Sequence, residues 1–439
     1  MIKITKSIEK VLERDAKVIF SMKRVPYPFV ADHGDGDYVY DIAGNKFIDF
    51  TSFISVYNLG EDGRIASRKA AKAQIDKMMH AAFTDFYAEL PVRFAEKLVT
   101  MFPKGFGRVF FSNSGTEANE AALKFAKMFT KRQYVIGFYG AFHGRSYGSL
   151  GVTASSKTQR AHFGPFNSVI HAPYPYPYRF PYGDANECAR FCISYLRDTI
   201  LERDVDPEEV AAIMIEPIQG EGGYVVPPKL FMKELRKLAS EHGILLIADE
   251  VQSGYMRTGK FLALDNFGVE ADIYTMAKAL GGGLPLGATI ARSSLGDIPR
   301  GSHGTTFGGN LPEIASAEAA LDYVKRNMKS LQSNVKKKGK MITDRLNEMK
   351  DDYEIVGDVR GMGMMIGVEL VKDKDSKIPA IRESDDVLVE AFRNGLLLLP
   401  CGKSSIRIIP PITSTEADLT KGLDMFEDAI KKIDAQKRN

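Results

Sequence analysis

Asp249 and Lys278 are the two side chains of this sequence best placed to do chemistry. Asp249 closes the run Gly243-Ile-Leu-Leu-Ile-Ala-Asp-Glu-Val-Gln-Ser-Gly254. Its apolar part, Ile244 to Ala248, is long enough for a buried strand and too short for a buried helix. In parallel α/β sheets, ligands bind at the carboxyl ends of strands, although many sheets end in an aspartate that only caps the next helix. Lys278 ends a second short apolar run, Tyr274-Thr-Met-Ala-Lys-Ala-Leu-Gly-Gly-Gly283. A buried cation is costly unless it is neutralised or consumed chemically, and lysine is the side chain that condenses with aldehydes.

An aspartate to hold a pyridinium nitrogen and a lysine to hold an aldehyde together make the pair that pyridoxal phosphate requires. A phosphate site has its own candidate in Phe110-Phe-Ser-Asn-Ser-Gly-Thr-Glu-Ala-Asn-Glu120, which reads as a strand, a small-residue turn and a helix start. Ser114, Gly115 and Thr116 would present backbone N–H groups and two hydroxyls where unpaired donors and the helix dipole favour an anion. An ordinary Ser/Thr cap, with Glu117 and Glu120 answering the same dipole, explains that string equally well.

The elements that must position these groups follow from the apolar pattern. Between about residues 65 and 325, short apolar runs at 109–111, 134–137, 169–171, 213–216, 244–248 and 273–276 alternate with helical patterns, which predicts a mainly parallel sheet covered by helices. Tyr38 to Phe50 alternates around an Ala-Gly-Asn turn, a hairpin pattern, and residues 1–24 read as a charged amphipathic helix. In the last hundred residues, helical patterns at 325–350 and 415–435 flank strands near 354–360, 363–370, 396–400 and 405–409. The expected domains are an N-terminal segment (1–64) belonging to a small domain, a large domain (65–325) and a C-terminal small α+β domain (326–439). Pro173 to Tyr178 reads as a rigid surface or interface loop and Asp373 to Lys377 as a solvated one.

Composition narrows the function classes. The net charge of +3, from 59 basic and 56 acidic residues, gives no electrostatic footprint for nucleic acid or an anionic membrane. Three cysteines cannot form a disulfide framework, which suits a reducing compartment. The N-terminal stretch lacks the apolar core of a signal peptide, and no apolar run approaches the ~18 residues of a membrane span. The expectation is a soluble, cytoplasmic protein.

Asp249-Glu-Val-Gln-Ser-Gly254 with Lys278 resembles the class III (ω-) aminotransferases, a branch of the fold type I pyridoxal-phosphate enzymes, from about Val25 to about Asp418. The resemblance implies an α/β fold with a large, mainly parallel seven-stranded sheet and a smaller α+β domain. It implies that Ser114, Gly115 and Thr116 hold the cofactor phosphate and that Phe142 stacks on the ring with His143 beside it. Arg145, in the same Gly137-Phe-Tyr-Gly-Ala-Phe-His-Gly-Arg145 string, would reach toward a substrate carboxylate. Without that family context, Phe142 reads as a core aromatic and Arg145 as half of a surface ion pair. Val251 would pack on the other face of the ring, Gln252 would approach its phenolic oxygen and Asp249 would hold its nitrogen. Lys278 would serve as both anchor and base. Glu216 and Glu221 lie in Ile215-Glu-Pro-Ile-Gln-Gly-Glu-Gly-Gly-Tyr224, an unbroken match to the family string, with Glu216 near the phenolic edge.

In relatives Glu221 pairs with the arginine of an Arg-x-x-Pro-Pro motif, here Arg407 to Pro411. A movable pair would hide the arginine from an ω-amine and reveal it to 2-oxoglutarate; a static interdomain salt bridge is the alternative. Thr306 resembles the residue that reaches the neighbouring subunit's phosphate, which implies a homodimer or a dimer of dimers. One departure stands out in Ser52 to Arg64. Phe53 replaces a usual glycine, Glu61 and Gly63 replace histidines, and Ile54 sits where aminobutyrate-type enzymes have an apolar wall and a dialkylglycine decarboxylase would show glutamine. The activity implied is transfer of an ω-amino group, 4-aminobutyrate-like, to 2-oxoglutarate through pyridoxamine phosphate. Ornithine or acetylornithine aminotransferases and amino-acid racemases or epimerases share the scaffold and remain open.

Overall fold

The structure, a computed structural model, describes residues 2–22, 25–166 and 168–438. Three strands form first: β1 (Ala31–Asp35), β2 (Tyr38–Asp41) and β3 (Lys46–Asp49). The expected hairpin is β2–β3, and β1 extends it. Next come β4 (Phe106–Ser112), β5 (Tyr134–Phe138), β6 (Val169–Ala172), β7 (Val210–Ile215), β8 (Leu245–Asp249), β9 (Ile273–Met276) and β10 (Gly287–Arg292). They make one seven-stranded sheet in the order β4-β10-β9-β8-β7-β5-β6. β5, β6, β7, β8 and β9 pair in parallel, while β10 runs antiparallel to both of its neighbours. β4 therefore points the same way as the parallel set, and its carboxyl end lies on the same rim. The strands are unbroken apolar runs because helices cover both faces; every residue of β7 is buried.

β10 was not among the expected strands. Its sequence, Gly-Ala-Thr-Ile-Ala-Arg, is small and poor in β-formers. Tight packing explains the composition, since a Cβ on Gly287 would stand 2.3 Å from the Ser114 carbonyl oxygen. The helix Leu311–Asp352 likewise begins well before the expected position. Its opening turns are buried on nearly all sides, which erases the amphipathic period.

The remaining strands are β11 (Val356–Met362), β12 (Met365–Leu370), β13 (Leu396–Leu397), β14 (Leu399–Cys401) and β15 (Ser405–Ile408), and a second sheet runs β11-β12-β15-β14. β13 instead pairs in parallel with β3, so N- and C-terminal segments share one sheet. The expected N-terminal helix spans Lys6–Val18 and buries only Ile8; Met1, Lys23 and Arg24 lie outside the described residues. Pro173 to Tyr178 acts as an internal interface. Tyr176 Oη donates to Glu369 of β12, and Arg179 Nε donates to the same carboxylate at 2.8 Å. Among the described residues no helix is long and apolar enough to cross a membrane.

Candidate active site

The carboxyl ends of the parallel strands converge on a cavity of about 660 Å³. Asp249 is the last residue of β8 and Glu216 follows β7. Lys278 follows β9 after one alanine, and Ser114 follows β4 after one asparagine. Each side chain reaches the cavity because a short strand stops there, which is the switch-point geometry of open α/β sheets.

Ser114 takes extended backbone angles and caps the helix Gly115–Thr130, its Oγ accepting from Glu117 N. Glu117 folds back to accept from both Asn113 N and Asn113 Nδ2 at 2.8 Å. The amides of Gly115 and Thr116 lead the helix with the donors every helix start offers an anion. Bulk is excluded here. A Cβ on Gly115 would lie 2.8 Å from Val251 Cγ1, and one on Gly144 would lie 2.1 Å from Thr116 Oγ1.

Asp249 is held from two sides. Its Oδ2 accepts from Asn119 Nδ2 at 2.7 Å and lies 2.8 Å from His143 Nδ1, and its Oδ1 accepts from Val251 N. Asn119 is oriented in turn by Thr275 Oγ1, which donates to Asn119 Oδ1 at 2.6 Å. Sequence reasoning missed Asn119 and Thr275. The trace was present, because Asn119 is a polar residue on the buried face of a helix otherwise lined by Ala118, Ala121 and Ala122.

Lys278 lines the cavity with φ 48°, a left-handed conformation held at a functional position. Burial lowers its pKa from the ordinary lysine value, and the Asp249 charge opposes that shift. Glu216 accepts from Phe142 N and Gly220 N, each at 2.8 Å. Burial pushes its carboxyl up to about 7; His143 and the two amides work against the rise and Asp249 adds to it. Phe142 lines the cavity, with the Arg145 guanidinium 5.6 Å from its ring centre. Val251 and Gln252 line it too, and Gln252 Oε1 and His143 Nε2 are buried atoms without a protein partner.

At the far side, Arg407 Nη2 lies 2.6 Å from Glu221 Oε1. Arg407 is 2% exposed, donates through Nε to the Pro400 carbonyl, and among the described residues has no partner for Nη1. Burial works against its charge, but Glu221, Tyr224 and Cys401 together outweigh this and hold its pKa above the ordinary arginine value. Ile54 lines the wall as expected, joined by Val56. Phe53 does not line it; its ring packs edge-on against Tyr57, 5.7 Å between centres. Ser52, Phe53, Ile54 and Ser55 have φ of 43°, 45°, 65° and 61°, a left-handed turn without glycine. Such residues cost about 1–2 kcal/mol each, a strain that the glycine expected at position 53 would avoid. Thr306 is exposed and stays outside the cavity of its own chain.

These groups fit pyridoxal phosphate. A helix start opened by Gly115 offers amide donors to a phosphate, a doubly anchored carboxylate suits the ring nitrogen, and a lysine whose pKa burial lowers lines the same cavity. The comparisons agree. The profile of the family described as aminotransferase class-III matches residues 19–430. The chain is 38% identical to a leucine/methionine racemase of Thermococcus litoralis, covering 97% of this chain and 96% of that one. It is 35% identical to a probable 4-aminobutyrate aminotransferase of Bacillus subtilis, covering 92% and 93%. Among solved structures, taurine:2-oxoglutarate aminotransferase from Bifidobacterium kashiwanohense, in complex with PLP and glutamate, superposes with a TM-score of 0.91 at 26% identity over 99% of both chains. With both the profile and the fold matched over nearly its whole length, the chain belongs to the class III aminotransferases, enzymes whose cofactor is pyridoxal 5′-phosphate.

Proposed function

We propose that the enzyme transfers an ω-amino group, from 4-aminobutyrate or a similar ω-amino acid, to 2-oxoglutarate. The observation that carries this reading is the buried Arg407–Glu221 pair, in which Glu221 lines the cavity and Arg407 sits outside the lining, with no partner for Arg407 Nη1 among the described residues. Arginine binds carboxylates bidentately. Released from Glu221, Arg407 takes the α-carboxylate of 2-oxoglutarate; paired with Glu221, it leaves that end of the cavity neutral for an ω-amine. Arg145, exposed at the cavity edge, takes the distant carboxylate in both half-reactions.

Bound pyridoxal phosphate supplies an aldehyde for the amine and a ring that accepts the electron pair left when a substrate carbon loses its proton. The chain's residues do the rest. Ser114, Gly115 and Thr116 would hold the phosphate, while Phe142 and Val251 confine the ring. Gln252, His143 and Glu216 would complete its edge, with burial raising the Glu216 carboxyl toward neutral pH. Asp249, anchored by Asn119 and the Val251 amide, would hold the ring nitrogen's proton in place. Lys278 Nζ, with its pKa lowered by burial, is the base that would move the substrate proton. The exposed Thr306 and Phe307 support a homodimer in which Thr306 completes the partner's phosphate site. Segments 1–64 and 326–439, joined through β3 and β13, act as the substrate-facing small domain. Three buried, unpaired cysteines fit a cytoplasmic location.

A racemase is the second reading, favoured by the likeness to the leucine/methionine racemase. A panel assay separates the two. Aldehyde formation from 4-aminobutyrate that requires 2-oxoglutarate supports transfer. Loss of optical rotation from L-leucine without any keto acid supports racemisation and contradicts transfer.

A further inference from the structure

Arg257 is fully buried, and among the described residues no carboxylate lies within ion-pair distance of it. Its guanidinium donates only to neutral acceptors on three separated segments. Nε donates to Asn58 Oδ1 at 3.1 Å, and Nη2 donates to that same oxygen and to Ser52 Oγ at 3.3 Å. Nη1 donates to the carbonyls of Met364, at 3.2 Å, and Pro410. Burial lowers its pKa to about 10, with Tyr224 and Asp49 opposing the shift, so it stays charged at neutral pH. An apolar side chain would fill this space without desolvating a charge, so its retention asks for a reason. The segments it joins supply one. Ser52 to Asn58 carries the left-handed turn that presents Ile54 and Val56 to the cavity, and Pro410 follows the strand carrying Arg407. Ser52 Oγ closes the ring by donating to the Ile409 carbonyl at 2.7 Å. A strained turn persists only when its surroundings over-determine it, and Arg257 is the group from the large sheet's side that does so.

We infer that Arg257 is a positioning residue that fixes substrate fit: it clamps the Ser52–Ser55 turn in its left-handed form and sets the apolar wall that Ile54 and Val56 present to the cavity. The clamp touches neither Lys278 nor Asp249, and the inference holds whichever amino donor is used. Arg257→Lys in the holoenzyme should therefore keep the cofactor's absorbance and kcat within about threefold while raising KM about tenfold. Glycine adopts positive φ without strain, so adding Phe53→Gly should recover most of that KM, and Phe53→Gly alone should change little. KM and kcat are measured with 2-oxoglutarate, 4-aminobutyrate and L-leucine. Turnover of leucine alone would count against the proposed function and leave this test intact. If Arg257→Lys does not fold, Ser52→Ala, with a rise of about threefold, carries the same test with the same rescue. An unchanged KM, or losses of KM, kcat and cofactor together that Phe53→Gly does not relieve, overturns the inference.

Discussion

Around the cavity, the side formed by Ser114–Thr116, Asp249 and Lys278 is assembled differently from the side formed by Ile54 and Glu221, the latter paired with Arg407 outside the lining. The first is local. Each of its residues sits within a few positions of a strand end, so a short string encodes both the element and the group it presents. The second is made by convergence. Ile54 comes from a strained turn near the N-terminus, Glu221 from a loop after β7, and Arg407 from β15 of another sheet. A buried arginine with no acid partner joins two of these segments. Chemistry common to many substrates is thus placed on rigid strand ends, and substrate choice is left to contacts that can shift without disturbing it.

The comparison predicts that damage on the first side appears in kcat and damage on the second in KM. The largest effect belongs to Lys278→Ala, with turnover falling on the order of 10⁴-fold. Borohydride reduction and peptide mapping of the unaltered enzyme should place the cofactor on Lys278; finding it on another lysine would break the assignment. Asp249→Ala should keep some cofactor yet lose roughly a thousandfold in kcat, the size of a lost electrostatic contact to the reacting system. A variant with half its activity would make Asp249 merely structural. Asn119→Ala should act on the same step but more weakly, about tenfold in kcat at unchanged KM. A KM effect instead would blur the division between the two sides.

The smallest effect concerns the scaffold. Glu250 is buried behind Asp249, accepting from Leu264 N and Ser253 Oγ, and burial pushes it up to about 7, its backbone and serine donors opposing. Its folded pKa lies above the unfolded one, so its contribution to stability is fully present below about pH 4.5 and is lost as pH rises through 7. Glu250→Gln should flatten the fall in melting temperature between pH 5.5 and 8 by about 1–3 °C. Identical slopes in the two proteins would refute the shift.

This contrast also explains what the sequence made legible. Six of the seven strands of the large sheet could be read because parallel strands buried on both faces are continuous apolar runs. β10 escaped because contact with the Ser114 carbonyl demands small residues there, and small residues carry little strand preference. The strand-end residues that line the cavity were readable from strings, but Asn119 and Thr275 were not, since a single polar residue on an alanine-rich face looks like chance until its partner is seen. At Phe53, read from the sequence as replacing a usual glycine, the backbone carries the consequence at φ 45°, while the ring turns onto Tyr57. No pattern of residue types announces a left-handed turn of Ser-Phe-Ile-Ser, nor the arginine that clamps it from two hundred positions away.

The central claim is that Arg407 and Glu221 alternate between a closed pair and an open carboxylate site, and separate half-reactions test it most directly. Single-turnover absorbance changes are recorded for Glu221→Ala and Arg407→Ala with 4-aminobutyrate, glutamate and 2-oxoglutarate. With Glu221 gone, the exposed guanidinium should favour glutamate at the expense of 4-aminobutyrate. With Arg407 gone, 2-oxoglutarate should bind about 10- to 100-fold more weakly, as expected for a lost charge-assisted pair, while the 4-aminobutyrate half-reaction survives. Equal losses in both half-reactions for both variants would contradict the alternation and leave the pair as a fixed strut.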